Sequence, residues 1–75
     1  MTEGRELAVM EKGRNLLVVQ ETVYETIALV DVRIFYRDRD DVLKPTRKGI
    51  SIRREEFGDF VDMLCEARHR LEEPA

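Results

Sequence analysis

The chain has no tryptophan, a single cysteine, two prolines and no long apolar run, and each shortage removes a class of protein. With Cys65 alone, no intrachain disulfide can form and a zinc site of the usual kind lacks ligands. No apolar stretch approaches the roughly 18–20 residues that cross a bilayer, so no membrane partner is expected. Met1 to Met10 is polar and acidic, unlike a signal peptide, which points to an intracellular setting. That setting is the cytoplasm or nucleoid in a bacterium or phage, and the nucleus in a eukaryote. There is no Gly-x-Ser-x-Gly elbow, no phosphate-cradling glycine loop and no cysteine–histidine pair with a third partner. Cys65 and His69 share a helical face, but no second pair of ligands accompanies them. No enzyme activity, metal or cofactor is expected.

What the chain does have is charge. Charged residues make up 39% of it, and the net charge is −3. The distribution is uneven. From Arg33 to Arg54 there are eight cations and three anions, a net of +5, while the remainder nets −8. A basic face on an acidic protein is an electrostatic footprint for a polyanion. The competing reading is that the charges only keep a small domain soluble.

Residues 1–75 form a single domain, and three parts are expected: a flexible lead-in over 1–6, a sheet with a basic ribbon over 7–52, and a helix over 53–71. Leu7 to Met10 is a weak strand start, and Glu11 to Asn15, with Gly13, is a turn or bulge. Leu16 to Val19 is an apolar strand, and the more polar Gln20 to Thr26 is a hairpin connection carrying Tyr24. Ile27 to Arg37 is the longest strand. Val30, Val32, Ile34 and Tyr36 share one face; Leu29, Asp31, Arg33, Phe35 and Arg37 share the other. An aromatic between two arginines suits a single strand of nucleic acid. The same pattern also suits Phe35 packed on a second protein layer with a solvated rim. After a polar turn at Asp38 to Asp41 comes Leu43-Lys44-Pro45-Thr46-Arg47-Lys48-Gly49-Ile50-Ser51-Ile52. Pro45 belongs at a sheet edge or bulge, and Gly49 permits a close backbone approach. Together they make a bent, basic ribbon.

Phe57, Phe60, Val61, Leu64, Ala67 and Leu71 then recur at helical spacing as one apolar stripe, with Cys65 at its border as a small hydrophobe. Gly58 leaves room for close packing. A domain this short is marginal alone, and one helix cannot cover both faces of a curved sheet. A symmetric homodimer through Phe57, Phe60, Val61 and Leu64 is therefore expected.

The run Val30-Asp31-Val32-Arg33, Tyr36, Asp38 and then Leu43 to Ile52, followed by the amphipathic helix, resembles the transcriptional positive cofactor four family. These are single-stranded-DNA-binding coactivator domains related in fold to the plant Whirly proteins. The resemblance covers about Leu16 to Leu71, and its most specific element is the Lys-Pro-x-Arg-Lys-Gly-Ile-Ser run. It implies an α+β fold: a curved four-stranded antiparallel sheet followed by one C-terminal helix, dimeric, with single strands held along the ribbons. Carried over by position, Arg33 is a DNA-contacting arginine, Tyr36 replaces a stacking tryptophan, and Lys44, Arg47 and Lys48 are the ribbon cations. Tyr24 falls near the aromatic of the first hairpin. Phe35 and Arg37 join the site by strand parity. The implied partners are single-stranded DNA, as in melted duplex, or RNA, and the transcription machinery. Thr46 departs from the family's usual glycine, and Glu21 to Thr26 lacks the cations of a basic first hairpin. That acidic hairpin favours the rival function, a protein-interaction module with the same dimeric fold.

Overall fold

A computed structural model of the chain describes residues 4–74. Strands β1 (Arg5–Lys12), β2 (Asn15–Tyr24), β3 (Ile27–Arg37) and β4 (Leu43–Arg53) form one open, curved antiparallel sheet in the order β1-β2-β3-β4. A turn of 3-10 helix, Arg54–Glu56, leads into the helix α1 (Phe57–Glu72). The α+β architecture expected from the resemblance is the one observed.

The strands begin and end where side-chain chemistry allows. Lys12 pairs with Asn15 and Tyr24 with Ile27, so the β1–β2 and β2–β3 hairpins each turn on two residues. Each has a left-handed first residue, Gly13 at φ 62° and Glu25 at φ 57°, as type II′ hairpins require. Strand boundaries differ from the sequence pattern at the start of β1 and the end of β2. β1 starts at Arg5, because Arg5 pairs with Glu21 across the ladder and bonds it at 3.1 Å. The remaining part of the expected lead-in, Met1 to Glu3, lies outside the described residues. β2 runs through Gln20 to Tyr24, so the connection there is only Glu25 and Thr26. The acidic hairpin is also the second of the chain, and the first carries Lys12, Gly13 and Arg14.

The core is thin. Among the described residues Val18 and Val30 are the buried apolar ones, and both lie on inner strands. No residue of α1 is buried. The helix is well formed in itself: Asp59 lies in its first turn and Arg70 in its last, each of the sign that its dipole favours. Phe57 and Phe60 stand with ring centroids 6.1 Å apart. The rest of the stripe has little to rest on; Leu64 is 50% and Leu71 85% exposed. Cys65 is exposed too. Among the described residues nothing lies within 4 Å of where a side chain on Gly58 would start, so no close packing within the chain calls for glycine there. Among the described residues no helix is long and apolar enough to cross a membrane.

Candidate nucleic-acid interface

Alternation along β3 sends Leu29, Asp31, Arg33, Phe35 and Arg37 to one face. Register adds Gln20, Thr22 and Tyr24 from β2 and Pro45 and Ser51 from β4 to that face. Tyr24, Arg33 and Phe35 line one depression there, with Gln20, Asp31, Pro45 and Ser51. Its volume is about 560 Å³. Tyr24 is 64% exposed at the far end of β2, and Phe35 packs beside Pro45 and Leu16 in the ladder. Tyr36 stands opposite Lys44 on the reverse face with Val30, Val32 and Ile34. The sheet does contain a bulge near the end of β3, but the extra residues are in β4. They number two and leave the alternation of β3 intact. Phe35, not Tyr36, therefore shares a face with Arg33.

At the centre of this face Asp31 is only 6% exposed. Its carboxylate accepts bonds from Arg33 Nε and Nη2 at 3.0–3.2 Å, Ser51 Oγ at 2.9 Å and Gln20 Nε2 at 3.4 Å. Burial pushes the Asp31 carboxyl up, but these bonds and the adjacent guanidinium outweigh it and hold the group below its ordinary value. The same pairing raises Arg33. No side-chain polar atom buried among the described residues lacks a partner.

The cations divide into engaged and free. Lys44 Nζ lies 3.0 Å from Asp38, Arg37 3.5 Å from Asp41, and Arg33 3.0 Å from Asp31. Asp38 also accepts the backbone N–H groups of Asp40 at 2.9 Å and Val42 at 3.0 Å. The Val42 bond above all, then Lys44, keeps its carboxyl below the usual range. Arg47 and Lys48 have no carboxylate within 4.0 Å among the described residues. They project from the β4 bulge, where Thr46, Arg47 and Lys48 together oppose Ile34.

Position along the strands adds a feature that the sequence pattern missed. In a meander the first and third connections share one end of the sheet. Lys12 and Arg14 therefore lie at the end that holds Phe35, Arg37, the Asp38 turn and the start of the ribbon. Neither is paired among the described residues. Gly13 as a turn residue was the signal available for this. The acidic second hairpin points to the opposite end. Its Glu21 faces away from Phe35 and is bound by Arg5 at 3.1 Å and Arg54 at 3.6 Å. Among the described residues, no group of three His, Cys, Asp or Glu is arranged to hold a metal.

Residues 11–63 match the family described as Transcriptional Coactivator p15 (PC4). The fold is similar to crystal structures of a PC4 homolog from Burkholderia pseudomallei in two crystal forms. The tetragonal form gives a TM-score of 0.79 at 31% identity over 88% of this chain and 98% of that one. The orthorhombic form gives 0.80 at 33% identity over 88% and 90%. None of the curated proteins matches the chain. The matched residues span most of the sheet, the whole basic ribbon and the first half of the helix, and the chain belongs to the PC4 family.

Proposed function

We propose that two copies of this chain form a symmetric dimer that binds single-stranded DNA without regard to sequence, in the manner of a transcription coactivator. The observation that carries this reading is the β4 bulge, which presents Arg47 and Lys48 free of carboxylate partners among the described residues. Lys12, Arg14, Arg37 and Lys44 extend the basic region at the same end of the sheet. Lysines and arginines on such a surface release the counterions condensed on a nucleic acid's phosphates, which gives affinity without reading bases. Phe35 and Tyr24 supply faces on which unpaired bases stack, worth about 1–3 kcal/mol each. A duplex hides its base faces, so the single strand is the better ligand. The exposed stripe of α1 supplies the dimer seam.

The test is fluorescence anisotropy of an oligo-dT of about twenty nucleotides against a duplex of equal length, followed through a salt titration. Binding that prefers the single strand and weakens with salt is expected. Arg47→Ala and Lys48→Ala should each flatten the slope of log K against log salt by about 0.7. Salt-independent affinity would sink the reading. The rival, a protein-interaction module with the same fold, draws on Glu25, exposed at the hairpin apex beside Tyr24. It predicts no oligonucleotide binding even at low salt.

A further inference from the structure

Between Arg33 and Phe35, β3 offers one residue while β4 offers three. Ladder bonds cannot serve three residues against one, so the backbone groups there need other partners. Two side chains provide them. The Thr46 hydroxyl donates to the Ile34 carbonyl at 2.8 Å and accepts the Lys48 N–H at 3.1 Å. Arg33 Nη1 donates to the Thr46 carbonyl at 3.0 Å. The rest of that guanidinium is fixed by Asp31, which Ser51 and Gln20 fix in turn. A continuous chain of bonds thus runs from β2 through β3 into the bulge. Gly49 makes room for it: a Cβ there would stand 2.5 Å from the Val32 carbonyl and 2.7 Å from Arg33 Cα.

We propose that Asp31, Arg33 and Thr46 form a staple that fixes the bulge backbone, so that Arg47 and Lys48 meet nucleic acid from set positions. Arg33 is then a positioning residue acting through Thr46 rather than a phosphate ligand. Its planar fork grips a carboxylate and a carbonyl together, which a lysine ammonium cannot imitate. Holding the backbone in advance reduces what the flanking cations lose on binding. The effect on affinity rests on the single-strand reading above; the staple itself does not.

Thr46→Val removes the hydroxyl, keeps the side-chain volume and changes no charge. Thr46→Ser restores the hydroxyl, and Arg33→Lys keeps the charge without the fork. The first readout is amide hydrogen exchange at Lys48 by NMR on the free protein. Exchange about tenfold faster in Thr46→Val, and near wild type in Thr46→Ser, is expected. The second is affinity for the same oligo-dT. Thr46→Val and Arg33→Lys should each weaken binding about fivefold or more, with Thr46→Ser close to wild type. Unchanged Lys48 exchange in Thr46→Val would overturn the staple. Wild-type affinity in Thr46→Val beside a weakened Arg33→Lys would overturn the positioning role and make Arg33 a ligand. A wild-type protein that binds no oligonucleotide removes the single-strand reading and leaves the exchange result to decide the staple.

Discussion

Asp31 carries the largest electrostatic demand of any residue here, because it keeps a charge in a nearly closed position. Asp31→Asn leaves the half-buried Arg33 guanidinium facing an amide. The expected cost is about 1.5–3 kcal/mol, the worth of a hydrogen bond to a charged group, read as a shift in urea midpoint. The dependence on pH has a definite sign. The folded carboxyl is held below its ordinary value of 3.8. Its contribution is therefore complete above that value and is lost as pH falls through the folded value. Arg33 is the charged partner, and Gln20 and Ser51 are neutral, so neither of those two adds a titration of its own. The midpoint gap between wild type and Asp31→Asn should stay constant from pH 7 to about 5 and narrow below 3.8. A gap that persists unchanged at pH 3 would mean that the charge contributes nothing and only shape matters.

Among the elements, two constrained backbone sites lie in β4 and in the β2–β3 hairpin. Gly49→Ala drives a methyl into the backbone of Val32 and Arg33. Overpacking of this kind costs about 1–3 kcal/mol, and the bulge beside it should lose its register, which calorimetry and Lys48 exchange would both detect. Glu25 sits at φ 57° with a side chain that disfavours it. Glu25→Gly should stabilise the hairpin by up to about 1 kcal/mol, measured by chemical denaturation at fixed protein concentration. These sites mark what sequence conveys and what it withholds. β3 was legible because its alternation is unbroken, and the ribbon because Pro45 and Gly49 announce a bulge. The stripe of α1 was legible from its period. The second half of β2 was not, since Gln20 and Glu21 are strand residues satisfied by Asp31, Arg5 and Arg54, partners that only the register supplies. Glu25 gives no turn signal of its own. The candidate site was half visible: the ribbon cations stood out, whereas Arg33's engagement with Thr46 depends on the bulge geometry, and Lys12 and Arg14 join them only through the meander.

At the scale of the whole molecule, the chain is open for its length and its buried core is thin. A compact domain of this length has a radius of gyration of about 11 Å, whereas this one measures 14.4 Å, with extents of 45 × 33 × 18 Å. The helix lies outside the sheet's packing, and Val61, Met63 and Leu64 are exposed along it, as are Met10, Val23 and Ile50 on the sheet. Such surface is stabilising only once something covers it, and a second copy offers the same stripe in self-complementary form. If folding and pairing are one event, the thermal midpoint must depend on concentration. Two chains unfolding together at about 0.7 kcal/mol per residue give a shift of roughly 5 °C for each tenfold change in protein. If the exposed stripe is the seam, Leu64→Asp puts a charge into it and should lower the midpoint further at every concentration. Calorimetry over a hundredfold range decides the matter: a midpoint that rises with concentration ties the fold to its dimer. One that stays fixed means the thin sheet holds itself together, and the stripe of α1 then awaits some other partner.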